Sequence, residues 1–328
     1  MKIIEELLYR ESEYLTRRHF LKRGSLGLGV AALSSLTGCN FDPKPTSLSQ
    51  DDTFQLVPKA KRIIFLHMAG APSQLDLFDY KPLLHQLDGK PCPDSLLEGK
   101  RFAFITGVPE MLGPQFTFDQ YGETGSWVSE LLPHFTQVVD DVLFMKALHT
   151  EEFNHAPAQL FMHTGSPRLG RPSFGSWVNY GLGSENENLP GFVVLVSGQS
   201  APSGGKSLWG SGFLPSVYQG VEFRSKGDPV LFVSNPEGVP RNVRRVVTDA
   251  INKINETAYQ EVGDPEILTR MAQYEMAFKM QMSVPQATDI QEEPDYIHQL
   301  YGTEPGKVSF ANNCLLARRL AERGVRFI

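Results

Sequence analysis

Ile63-Ile64-Phe65-Leu66-His67-Met68-Ala69-Gly70-Ala71-Pro72-Ser73-Gln74-Leu75-Asp76-Leu77-Phe78-Asp79-Tyr80-Lys81-Pro82 joins a continuous apolar run to a loop of Gly, Ser, Gln and two carboxylates. The run does not alternate, so both of its faces need cover, as in a strand buried between layers. Val142-Leu143-Phe144-Met145, Phe192-Val193-Val194-Leu195-Val196 and Val230-Leu231-Phe232-Val233 are runs of the same kind. Helical patterns lie between them. Residues 126–139 carry one, with Pro133 as a kink or break, and Pro157 to His163 follows Asn154-His155 as a helix follows its cap. Asp264-Pro265 opens another through an Asp N-cap and Pro at the first helical position, with Ile267, Met271, Tyr274 and Phe278 on one face. Near the end, residues 309–323 read as an amphipathic helix with Phe310, Cys314, Ala317 and Ala321 in line. Gly324 stops it, and Val325-Arg326-Phe327-Ile328 begins a strand. Strand and helix in alternation predict an α/β fold with a mainly parallel sheet, whose ligands sit outside the carboxyl ends of the strands. A strand at the last four residues is read as the sign of an N-terminal portion of a longer protein.

The first 38 residues read as an export signal. Arg17-Arg18 precedes Phe20-Leu21-Lys22, and the apolar, small-residue segment from Gly24 to Leu36 is shorter than the roughly 20 residues that span a bilayer. The paired arginines resemble a twin-arginine (Tat) signal, which implies the Tat translocase as a partner during export. Leu36-Thr37-Gly38-Cys39 looks like a lipobox, with Cys39 lipidated and the membrane reached through that anchor. Residues 39–58, rich in Pro, Ser, Thr and Asp, then form a flexible linker, and the folded part runs over residues 59–328. Cys92 and Cys314 remain, too few for a disulfide scaffold and without zinc-type spacing. A formal charge of −6 and a pI near 5.8 leave no electrostatic footprint for nucleic acid.

Chemistry is sought in the loops after the first two runs. Gly, Ser, Gln and the carboxylates of Asp76 and Asp79 suit a hard cation or a phosphate; the alternative is Asp79 capping a turn before Pro82, with Asp76 solvated. His149-Thr150-Glu151-Glu152-Phe153-Asn154-His155-Ala156-Pro157 leads into a helix whose N–H groups and dipole favour an anion, with His155 as ligand, acid or base. Four histidines, His67, His149, His155 and His163, fall near these two strand ends. Gly204-Gly205-Lys206-Ser207 imitates a P-loop, but Ser200 stands where the Walker pattern needs Gly.

Taken together, GAPSQLDLFDYKP (70–82), GSWVSELLPH (125–134), HTEEFNHAP (149–157), HTGSPRLGRPSFGSWVNYGLGSEN (163–186) and LWGSGFLP (208–215) resemble the DUF1501 family, sulfatase-like secreted proteins of the alkaline phosphatase superfamily. The resemblance implies an α/β/α sandwich, incomplete at its C-terminus, with a divalent metal ion (Zn, Ca or Mg) at the carboxyl ends of the sheet. His155, Pro157, Thr164 and Gly165 match the sulfatase positions for nucleophile, Pro and Thr-Gly. His155 in place of Cys or Ser removes the formylglycine precursor, and Gln159 replaces the expected Arg. The resemblance implies that the remaining metal ligands come from a C-terminal half, which is expected to lie beyond Ile328.

The leading expectation is therefore an exported, periplasmic or lipid-anchored metallohydrolase homologue acting on sulfate or phosphate esters, inactive as it stands. Asp76, Asp79 and His149 are its candidate metal ligands, His155 the nucleophile-position residue, and Asn154 and Ser73 the oxyanion holders. The alternative is a non-catalytic cell-surface lipoprotein binding a polysaccharide or a partner protein.

Overall fold

The computed structural model describes residues 59–70, 72–100, 105–198, 201–224, 229–230, 234–235 and 238–328. The export signal, Cys39 and the linker up to residue 58 lie outside them, as do residues 231–233 of the fourth apolar run. The elements mix helix with small sheets, an α/β composition, and divide into two compact units. The smaller comprises Leu66–Arg168 with Pro202–Gly205; the larger comprises the segment ending at Phe65, Leu169–Ala201 and Lys206–Ile328.

In the smaller unit, two short helices, α1 (Leu83–Leu87) and α2 (Asp94–Leu97), precede an antiparallel hairpin. Its strands are β1 (Phe118–Tyr121) and β2 (Ser126–Ser129), with Phe118 opposite Ser129 and Tyr121 opposite Ser126. The helix expected over residues 126–139 is thus a strand followed by 3₁₀ turns at Phe135–Gln137 and Val139–Asp141. Three causes decide it. Trp127 and Val128 suit a pleated surface; the Asp140 carboxylate accepts the N–H groups of Glu123 and Thr124 at 3.0 and 3.3 Å and so clamps the hairpin turn; and Pro133 has no N–H to continue a helix. The run Val142–Met145 forms no strand either. It turns Phe144 inward against Phe78 and Phe135, at 5.4 and 6.0 Å between ring centres, and leaves Leu143 82% exposed. The unit closes with α3 (His155–Thr164), which follows the expected cap: Asn154 Oδ1 accepts the Ala156 N–H at 3.3 Å, and Gly165 ends the helix at φ +70°.

The larger unit is built on parallel pairing. β3 (Val193–Leu195) and β4 (Val221–Phe223) lie parallel, with Val193 opposite Val221. On the other side of β3, Phe327 bridges in parallel to Phe192 and also to Ile63. The Ile63 N–H donates to Arg326 O at 2.8 Å, the Ile328 N–H to Ile63 O at 2.9 Å, and the Val193 N–H to Phe327 O at 2.9 Å. Residues 326–328 therefore run between the first and third apolar runs as an extended segment, with Phe327 bridging to both sides.

Helices cover this sheet. α4 (Phe174–Leu182) begins at Ser173, whose Oγ accepts the Ser176 N–H. α5 (Arg241–Val262) and α6 (Pro265–Thr288) form a long hairpin, turned by Gly263 and capped by Asp264, which accepts the Glu266 N–H at 3.0 Å. α7 (Asp295–Tyr301) and α8 (Phe310–Glu322) follow. The core gathers Leu189, Val193 and Phe223 against Met280, Val284 and Ala287 of α6, and Leu316, Ala317 and Leu320 of α8. α6 and α8 come where the sequence places them, and their expected faces are buried only in part: Ile267 and Ala317 are buried. Tyr274 and Phe310 are exposed, while α6 buries Met280, Val284 and Ala287 and α8 buries Leu315, Leu316 and Leu320. Arg319, 4% exposed, crosses to the end of α6, where Nε donates to Ala287 O and Nη2 to Gln286 O, and pairs with Glu293.

Candidate functional site

All of the proposed site residues within the described part belong to the smaller unit. Residues 73–79 form a tight turn rather than an extended loop. The Asp76 N–H bonds Ser73 O, and the N–H groups of Leu77, Phe78 and Asp79 all converge on Gln74 O. Ser73 is exposed and caps the 3₁₀ turn Gln74–Asp76 without a side-chain hydrogen bond. Asp76 is half-buried, and Asp79 pairs with Lys81 at 3.0 Å. His149 stands in an exposed loop, 3.8 Å from Glu151 with its side chain 80% exposed. His155 opens α3 on the surface, and Asn154 spends its Oδ1 on the cap. Among the described residues, no three or more His, Cys, Asp or Glu side chains gather as a metal cage. The donor set Asp76, Asp79 and His149 therefore does not fit the implied divalent ion as placed, and no catalytic step can be derived through it.

What the fold does bring together is another pair from the same four histidines. His67, directly after the first apolar run, meets His163 in the last turn of α3, with ring centres 4.7 Å apart and planes at 79°. Both are half-buried, and both Nε2 atoms are shielded from solvent. Burial pushes the His67 imidazole below its ordinary value. It drives His163 down to about 4, and the neighbouring His67 adds to the effect. The His163 ring is therefore neutral at pH 7.

Gln159 has a role that its position in the sequence did not reveal. It is buried, and its Oε1 accepts the Gly204 N–H at 2.9 Å, tying α3 to the segment Pro202–Gly205. The P-loop imitation proves to be a 3₁₀ turn, Gly205–Trp209, with no helix N-terminus to hold a phosphate. No spacing rule in the sequence links Gln159 to Gly204.

The profile of a family described as "protein of unknown function (DUF1501)" matches residues 60–328. This chain belongs to the DUF1501 family. The match takes in both units and every candidate residue except Cys39. No curated protein and no solved structure matches the chain. Membership of DUF1501 confirms the family read from the loop motifs, while that family's description carries no activity.

Proposed function

We propose that this DUF1501 protein is an exported, lipid-anchored relative of the sulfatases, with an alkaline phosphatase-like α/β/α sandwich and a site for the anionic end of a sulfate or phosphate ester at the start of α3. The observation that carries the reading is the pairing of an Asn154 cap with an exposed His155 at a helix N-terminus. Orphan N–H groups and the positive end of the helix dipole attract the anion, with the His155 imidazole beside it. His155 occupies the position where sulfatases carry their nucleophile, and Asn154 and Ser73 supply polar groups for the oxyanion. The divalent ion that the family likeness implies is assigned no step, since the described residues gather no third ligand. Titration of the protein with inorganic phosphate or sulfate, followed through the His155 ring signals by NMR, tests the site. Saturable shifts that weaken about tenfold or more in His155→Ala are expected; an unshifted His155 ring sinks the reading.

One observation favours the alternative, a polysaccharide-binding lipoprotein. In the larger unit Trp177, Tyr180 and Phe213 are each about half exposed and form a chain of edge contacts: Trp177–Phe213 at 5.6 Å, Trp177–Tyr180 at 6.1 Å and Tyr180–Tyr218 at 5.2 Å. Exposed aromatic faces clustered in this way offer an amphipathic stacking surface of the kind that sugar rings take. Retardation in affinity gels cast with an acidic polysaccharide, lost in Trp177→Ala, is the result this reading requires.

A further inference from the structure

We propose that α5 is the contact of a weak, two-fold symmetric homodimer, in which its outward apolar stripe packs antiparallel against the same stripe of a second copy of this chain. The surface lies wholly within the larger unit, and the inference stands without the ester reading.

α5 is amphipathic, yet the face it turns to the rest of the larger unit is its polar one. Val243, Val246, Val247, Ile251 and Ile254 recur at three- and four-residue spacing and are between 39% and 69% exposed. A helix on a globular surface ordinarily buries such a stripe. Here the buried and half-buried positions are Arg244, Arg245, Thr248, Asn252, Asn255 and Tyr259. Polar contacts hold that face to α6: Arg245 Nη1 donates to the Glu275 carboxylate at 2.9 Å, and the Arg241 and Arg245 guanidinium groups lie 4.8 and 5.1 Å from the centre of the Phe278 ring. The helix is thus fixed by its polar side, and its β-branched residues are left facing water. An aliphatic stripe rimmed by charge marks an interaction surface.

The order of residues along α5 says what fits it, because it reads nearly the same from either end. When two copies are laid antiparallel about an axis level with Ala250 and Ile251, Val243 meets the partner's Ala258, Val247 the partner's Ile254, and Ala250 the partner's Ile251. Charges fall into the same register to within one residue. Arg241 comes level with the partner's Glu261 and Asp249 with the partner's Lys253, each twice by symmetry. Parallel pairing would instead set each charge beside its own copy. Asp249 also pairs with Arg245 of its own helix, but its side chain stays 53% exposed and within reach. A two-fold interface demands this self-complementarity, since a residue i that meets j must be met by it in return. A stripe about 22 Å long and 10 Å wide covers about 220 Å², well under the roughly 800 Å² that each partner gives to a standard interface, which places the dimer in the weak class.

Sedimentation equilibrium of the full chain from about 1 to 500 μM tests the proposal, with a monomer–dimer constant on the order of 10–100 μM expected. Ile254→Glu, at an exposed site, should leave the circular dichroism spectrum unchanged and weaken the dimer about tenfold or more. Lys253→Glu sets two carboxylates level with each other and should weaken it about threefold or more; adding Asp249→Lys to that variant should restore it. A monomer throughout the range overturns the proposal. So does association that survives Ile254→Glu, which belongs elsewhere in the chain, or a double variant that regains no affinity. Pelleting of a monomeric parent with phosphatidylcholine vesicles, lost in Ile254→Glu, would give the stripe to a lipid surface and overturn it as well. None of these outcomes touches phosphate binding at His155, so the two readings fail separately.

Discussion

Replacing Arg319 gives the sharpest test of how the larger unit is held together. The side chain is 4% exposed, lies within the core beside Leu316 and Leu320, and serves two functions at once. Its Nε and Nη2 satisfy the carbonyls of Ala287 and Gln286, which the end of α6 leaves without helical partners, and its remaining nitrogen meets Glu293. Arg319→Ala therefore removes a buried cation, strips Ala287 O of its side-chain donor, leaves Gln286 O only the Arg323 Nη2 at 3.5 Å, and opens a cavity. Loss of one partner from a buried ion pair costs about 3–5 kcal/mol. The low end applies here, because Glu293 keeps Arg318 as a second partner. About 3 kcal/mol corresponds to a fall in Tm of about 6–12 °C for a unit of this size. Arg319→Lys should recover less than half of the loss, since an ammonium cannot reproduce a planar fork that reaches two carbonyls and a carboxylate. Calorimetric unfolding of parent, Ala and Lys variants measures all three values. A Tm shift under about 2 °C for Arg319→Ala would refute the assignment of Arg319 as the clamp between α6 and α8.

Gly175→Ala should destabilise by about 1–3 kcal/mol, because a Cβ there would sit 2.7 Å from the Phe192 ring. Gly181→Ala on the same helix meets nothing within 4 Å and should be neutral or stabilising by about 0.5–1 kcal/mol, so paired melts of the two variants check the packing. Asn154→Ala should cost about 1 kcal/mol through the lost cap, measured by urea unfolding. The hydrogen bond from Arg318 holds the Glu293 carboxyl below its ordinary value, so its contribution is complete above the unfolded value of 4.5 and is lost as the pH falls through the folded one. Urea unfolding at pH 7 and pH 3 should accordingly show a flatter pH dependence in Glu293→Gln than in the parent. Cys39→Ala should release the exported protein from the membrane fraction, and unchanged membrane association would count against the lipid anchor.

Elements specified by local chemistry were legible in the sequence. α3 needed only a cap and an apolar stretch; α6 announced itself by Asp264-Pro265; and the strand expected from Val325 is present as an extended segment bridged through Phe327. Elements decided by distant partners were not. Ser126–Ser129 pairs as a strand because Asp140 clamps its hairpin turn, and Val142–Met145 yields its one inward residue to an aromatic cluster. α5 carries Val243, Val247, Ile251 and Ile254 at helical spacing, yet that stripe is exposed while Thr248 is buried, so periodicity alone does not give its burial. The candidate site divides in the same way. Asn154 and His155 were visible as a cap and its neighbour, but the meeting of His67 with His163 depends on where the chain returns after the hairpin, which no periodicity encodes.

The strand at residues 326–328 also sets an order of events in time. Its hydrogen bonds join segments at opposite ends of the folded region, and Arg326 reaches Lys61 O across 265 residues. Until those residues have left the ribosome, the edges of the first apolar run and of β3 have no strand to receive them. Such long-range closure is slow, and it leaves apolar edges exposed while it is pending. A growing chain of this protein therefore keeps this sheet split until residues 326–328 have been made. A holding chaperone has its longest opportunity to bind in that interval, before residues 326–328 fill the gap.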